Sequence, residues 1–187
     1  MQKMMLLLAA LVLTASSSLR AGTLNGVTLP DTAQAGSTPL ILNGMGLRTK
    51  YMVKVYVAGL YLPQKSSDAN MILKADTPKR MVMHFVRGIS KSQFTDGFNE
   101  GFEKNSPAAA MSLKPDMDRF FSTLDAVKEG DEVIFTYVPG TGTTVTIKGQ
   151  DKLTIPGEAF AKMLFSVWLG SKPPNESLKT GLLGSLI

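Results

Sequence analysis

The chain has 187 residues, with 20 Lys and Arg against 15 Asp and Glu, a single histidine and no cysteine. A formal net charge of +5, with no run of five or more basic residues, argues against a nucleic-acid-binding surface. Absence of cysteine excludes disulfides, thiol catalysis and thiolate metal sites, so stability has to come from packing.

Residues 1–21 read as a secretory signal: a short basic start, an apolar run from Leu6 to Thr14, and a small polar tail ending in Ala21. A membrane-spanning helix needs about 20 apolar residues, and this run stops well short. Cleavage fits after Ala21, with Ala15 as the alternative. Lys3 and Arg20 would leave with the leader, and no cysteine is present for lipid acylation. The expectation is a soluble periplasmic protein with one domain over 22–187, long enough for a sizeable core.

Thr23 to Leu29 reads as an opening strand closed by Pro30-Asp31, and the small polar residues 32–38 as a loop. Leu40 to Pro63 is the longest β-rich run. From Tyr51 to Leu62 its odd positions (Tyr51, Val53, Val55, Val57, Tyr61) share one face of a strand, and its even positions (Met52, Lys54, Tyr56, Ala58, Leu60, Leu62) the other. Both faces are largely apolar, as in a central strand covered on both sides. Asp68 can cap a short helix through Leu73. Lys79 to Arg87 alternates as a further strand and contains His84. We read His84 as structural, because a general base needs an orienting partner that the sequence does not identify.

Ser90 followed by Gln93 is a capping-box pattern and starts the clearest helix. Phe94, Phe98 and Phe102 recur every four residues along it, with Gly97 and Gly101 beside them. Two helical glycines each cost nearly 1 kcal/mol relative to alanine. Either they allow close packing against a neighbouring element, or they leave room for a ligand beside the aromatic rings. Further helices are expected over Pro107–Lys114 and Pro115–Val127, then a hairpin of Glu132–Val138 and Thr143–Ile147 and a short strand near Leu153. Pro156 suits the first residue of a helix through Leu169, and Asn175 suits the cap of a final helix carrying Leu178 and Leu182. Strands grouped early and late, with helices between, make an α+β domain.

Arg48 stands among apolar neighbours. A guanidinium is always charged and presents a planar fork of donors to a carboxylate, phenolate or enolate. It must reach solvent, pair with an acid, or hold an anionic ligand. Tyr56 can add a second donor. Along one continuous strand the two would lie roughly 27 Å apart, so they share a site only if the chain reverses near residues 49–52. No Gly-x-Ser-x-Gly elbow, His-Glu-x-x-His helix or phosphate loop is present, and one histidine without cysteine gives no support for a metal or cofactor.

Gly46-Leu47-Arg48 followed by Lys54-Val55-Tyr56-Val57-Ala58-Gly59-Leu60-Tyr61-Leu62, then Gln93-Phe94-Thr95-Asp96 and Phe165-Ser166-Val167-Trp168-Leu169-Gly170, resembles the chalcone isomerase-like family, specifically its bacterial, signal-bearing branch. The matches spread over nearly all of the chain after its leader. The resemblance implies an antiparallel sheet covered on one face by a layer of helices, with a ligand cleft between. In catalytic members an arginine, a threonine, a helix tyrosine and asparagine, and a carboxy-terminal hydroxyl bind the reacting phenolate. Arg48 matches the arginine, Tyr56 falls at the threonine, Phe94 at the tyrosine and Gly101 at the asparagine, with Ser177 a loose match for the hydroxyl.

Flavanone formation depends on donors placed around a developing oxyanion, and Phe94 and Gly101 remove two of them. Fatty-acid-binding members of the same fold hold a carboxylate with an arginine and a tyrosine, which Arg48 and Tyr56 would reproduce beside the stripe of Phe94, Phe98 and Phe102. The expectation is therefore a non-catalytic periplasmic binder of a small apolar carboxylate or fatty acid. The alternatives are an isomerase or intramolecular lyase using Arg48, and an accessory protein that binds only a protein partner.

Overall fold

The long β-rich stretch is not one strand but two, turned back at Tyr51 and Met52, both of which have left-handed backbone (φ 49° and 65°). In the computed structural model, whose described residues are 21–184, the strands are β1 (Ala21–Leu24), β2 (Val27–Pro30), β3 (Thr32–Ala35), β4 (Thr38–Lys50), β5 (Val53–Leu62), β6 (Lys79–Phe85), β7 (Glu132–Val138), β8 (Gly142–Ile147) and β9 (Gln150–Ile155). The helices are α1 (Ala69–Lys74), α2 (Lys91–Asn105), α3 (Pro107–Ser112), α4 (Lys114–Thr123), α5 (Glu158–Leu169) and α6 (Glu176–Leu182). The leader expected over 1–21 falls outside the described residues except for Ala21.

Strands β3 to β9 form one antiparallel sheet in chain order, so every neighbour is a sequence neighbour. The opening strand expected over Thr23–Leu29 is instead a hairpin, β1 on β2, folded at Asn25-Gly26. Both turn residues have positive φ, the geometry for which Asn-Gly is preferred. The segment read as a loop over 32–38 contributes β3, whose small residues give little strand signal.

From Tyr56 onward the alternation along β5 divides the interior as its pattern requires, but Val55, expected on the Val57 face, packs with the helical-side core because the register shifts there. Tyr56, Ala58, Leu60 and Leu62 face the helical layer, while Val57 and Tyr61 enter a smaller core with Val27, Leu29, Leu40 and Leu42. The helices thus cover one face, and the β1–β2 hairpin covers part of the other. The main core is aromatic. Phe98 meets Phe120, Phe135 and Trp168 edge to face at centroid separations of 5.0, 5.6 and 5.8 Å, a favoured arrangement for ring quadrupoles.

Local signals account for most helix boundaries. Asp68 caps α1 by accepting from the Asn70 and Met71 amides at 2.8 and 3.0 Å. Ser90 and Gln93 form the full capping box of α2. Helix α5 begins at Glu158, two residues beyond Pro156, because Gly157 adopts φ 90° at the cap position. At the carboxy terminus α6 lies directly on β4. A Cβ on Gly44 would fall on the Gly181 carbonyl oxygen, and one on Gly46 would fall on that of Leu178. This approach needs glycine on the strand, and it brings Pro174 and Asn175 beside Arg48.

Candidate functional site

Arg48 and Tyr56 are Cα partners across β4 and β5, with a bulge immediately after Arg48. Directly opposed residues in an antiparallel pair lie about 5 Å apart with side chains on the same face. The reversal at Tyr51-Met52 therefore brings the two residues together. Both line a cleft of about 470 Å³ between the sheet and the helical layer. That volume is in the range of small-molecule sites, about 300–1,000 Å³.

The cleft floor is Val55, Tyr56, Met83 and Phe85 from the sheet. Its helical wall is Phe94, Gly97, Phe98 and Gly101 from α2, with Val167 and Trp168 from α5. Phe102, the third ring of the stripe, is fully buried against Phe120 and Phe121 and does not line the cleft. The two helical glycines separate in role. A Cβ on Gly101 would meet Val167 Cγ1 at 2.8 Å, so this glycine admits α5. One on Gly97 would meet nothing within 4 Å, so this glycine leaves the slot open.

Arg48 is half-buried at the cleft mouth. Its Nη1 donates to the Pro174 carbonyl and to Asn175 Oδ1, each at 2.9 Å, and to its neighbour's carbonyl at Thr49. The same Asn175 oxygen accepts from the Thr49 amide at 3.0 Å. Asn175 was expected to cap α6; it holds the cap position, but its side chain makes no capping bond and turns to Arg48 instead. All three acceptors are uncharged. Among the described residues no carboxylate lies within ion-pairing distance of Arg48, and only Nη1 hydrogen-bonds to protein. The guanidinium is thus oriented by neutral groups without a direct ion pair, and Glu100 acts on it only at longer range.

The Tyr56 oxygen accepts from Trp168 Nε1 at 3.0 Å, which frees the phenolic proton for another partner. Burial pushes the Tyr56 phenol up to about 12, against smaller lowering effects of the Trp168 bond and the Arg48 charge. It remains a donor at neutral pH. Nothing in the spacing of Trp168 along the sequence indicates that it orients Tyr56.

Four further basic residues, Lys50, Arg87, Lys104 and Lys172, border the cleft, against one carboxylate, Glu100. Glu100 accepts from Lys104 at 2.5 Å, and that bond holds its carboxyl below the usual range. Ser177 departs from expectation: it is exposed near the start of α6 and is not a lining residue. Asn175, two positions earlier, makes the contact to Arg48. His84 does have a partner, Glu132 at 3.1 Å on the neighbouring strand, but it is not a lining residue of this cleft.

An antiparallel sheet with one helical layer, and a cationic side chain at the mouth of an apolar slot between them, defines an α+β protein of chalcone isomerase-like architecture. The family model described as chalcone isomerase-like matches residues 21–184, and the chain belongs to that family. Among solved structures it is similar to a fatty-acid binding protein of Arabidopsis thaliana, at 16% sequence identity and a TM-score of 0.71, over 88% of this chain and 96% of that one. A search of curated proteins found no match.

Proposed function

We propose that the protein is a non-catalytic binder of a small apolar carboxylate or fatty acid, acting in the periplasm. The carboxylate is held by Arg48 with Tyr56 as second donor, and the tail lies among Phe85, Phe94 and Phe98. One observation carries this reading: Arg48 is fixed by neutral acceptors at the mouth of an apolar cleft, with no acid of its own among the described residues. A charge-assisted, bidentate bond from the two unused guanidinium nitrogens is the strong interaction such a geometry favours. The likeness to a fatty-acid binding protein supports the ligand class, and the signal-like residues 1–21 support the location.

An isomerase acting through an oxyanion would use donors on the helical wall as well. Phe94 supplies a ring and Gly101 has no side chain, so these two positions of the α2 wall suit an alkyl tail better than a reacting oxygen. The test is binding of an anthroyl-labelled long-chain fatty acid in solution. Saturable binding that depends on Arg48 supports the reading; absence of binding by the folded protein contradicts it.

A further inference from the structure

The tip of the β4–β5 hairpin is built against the ordinary preferences of a turn. Tyr51 is 90% exposed and Met52 97% exposed, and Val53 continues the apolar surface at 43%. Both turn residues have left-handed backbone, which favours glycine and asparagine and is uncommon for large side chains. An Asn-Gly pair would close this hairpin without strain and without presenting a phenol and a thioether to water. The chain uses that pair at the β1–β2 hairpin, Asn25-Gly26. The bulky tip is therefore not required for folding.

Its surroundings are cationic. Lys50 precedes the tip, and Lys50, Tyr51 and Val53 all line the rim of the cleft that Arg48 occupies. Arg87 and Lys172 border the same opening, and among the described residues neither they nor Lys50 has a carboxylate partner. Exposed Tyr and Met side by side, beside Lys50 and on the same cleft mouth as Arg87 and Lys172, match the interface of a bilayer with anionic headgroups: the ring and thioether enter the boundary layer while lysine and arginine meet the phosphates.

We propose that the Tyr51-Met52 tip docks the cleft mouth onto an anionic lipid bilayer, so that the acid passes between membrane and slot without crossing water. The purpose assigned to docking rests on the acid-binding reading above; the docking surface itself does not. The experiment is co-sedimentation of the mature protein with vesicles of phosphatidylcholine containing phosphatidylglycerol, against vesicles of phosphatidylcholine alone. The comparison variant is Met52→Asp, which lies outside the cleft lining and tolerates left-handed backbone better than methionine does. Circular dichroism and binding of the anthroyl-labelled acid in solution accompany each measurement.

The expected result is partitioning to the anionic vesicles that weakens with added salt, and falls on the order of tenfold or more in Met52→Asp because a buried methionine and the charge balance are both lost. Unchanged acid binding in solution would show that the variant's slot is intact. Docking is overturned if the wild type stays in the supernatant, if both proteins sediment equally, or if Met52→Asp instead dissolves a dimer formed through the tip. Wild type that binds free acid but not vesicles leaves the acid-binding reading standing alone. Vesicle binding without acid binding leaves docking standing alone.

Discussion

Arg48 and Tyr56, eight positions apart in the chain, oppose each other across β4 and β5, and each is oriented by a residue from the carboxy-terminal third. Asn175 accepts from the Arg48 guanidinium, and Trp168 donates to the Tyr56 oxygen. The site thus depends on α5 and α6 being seated, although its two central groups come from one hairpin.

Asn175→Asp tests whether the lack of a direct ion pair to Arg48 matters. The new carboxylate keeps the acceptor oxygen used by the Thr49 amide and supplies an internal partner for Arg48. We expect unchanged or slightly raised thermal stability, because a part-buried ion pair replaces a neutral bond, together with at least about tenfold weaker binding of the labelled acid. Asn175→Ala should differ, losing about 1–2 kcal/mol of stability through the unpaired Thr49 amide. Chemical denaturation and fluorescence titration of both variants check this.

The two glycines of α2 should respond in opposite directions. Gly97→Ala meets open space and should stabilise by about 0.5–1 kcal/mol through helix propensity. Gly101→Ala strikes Val167 and should destabilise by about 1–3 kcal/mol. Gly97→Leu should fold normally yet exclude the labelled acid by occupying the slot. Urea midpoints and titrations separate the three cases.

Alkaline stability should pass through a maximum. Burial lowers the Lys79 amine from 10.5 to about 8, so between those values the unfolded chain holds the extra proton and stability rises with pH. Burial raises the Tyr56 and Tyr61 phenols from 10.0 to about 12. Their contribution is complete below pH 10 and is lost as pH climbs through the folded value. Denaturation midpoints should therefore increase from pH 8 toward 10 and then fall steeply. Lys79→Met removes the rising limb, and also the donor that Lys79 provides to the Ile72 and Ala75 carbonyls at the end of α1.

Expression of the full chain with its native amino terminus should yield a periplasmic product lacking the leader. Intact mass would then correspond to a start at Gly22 or, for cleavage after Ala15, at Ser16. An unprocessed cytoplasmic product would contradict the proposed location.

Much of the architecture was legible because apolar period and capping chemistry agree locally. Ser90-Gln93, Asp68 and the Glu132–Ile147 hairpin each carry their signal within a few residues. The hairpin that makes the site carries none: Tyr51-Met52 contains no glycine, asparagine or proline, so the sequence looked continuous where the chain reverses. The Asn25-Gly26 signal was present in the sequence, inside a stretch whose flanking residues also read as one strand.

The same limit applies to side chains. Arg48 and Tyr56 were visible as chemistry, but their supports, Asn175 and Trp168, come from 127 and 112 residues away through tertiary packing. Ser177 matched the family's hydroxyl position loosely and does not line the cleft, while Asn175, whose residue type suited a helix cap equally well, orients Arg48.

The most direct measurement is native mass spectrometry, with lipid extraction, of wild-type protein and Arg48→Ala purified in parallel, both shown folded by circular dichroism. The account predicts a co-purifying apolar acid on the wild type and its loss from the variant. The same acid retained by Arg48→Ala at wild-type occupancy would contradict it.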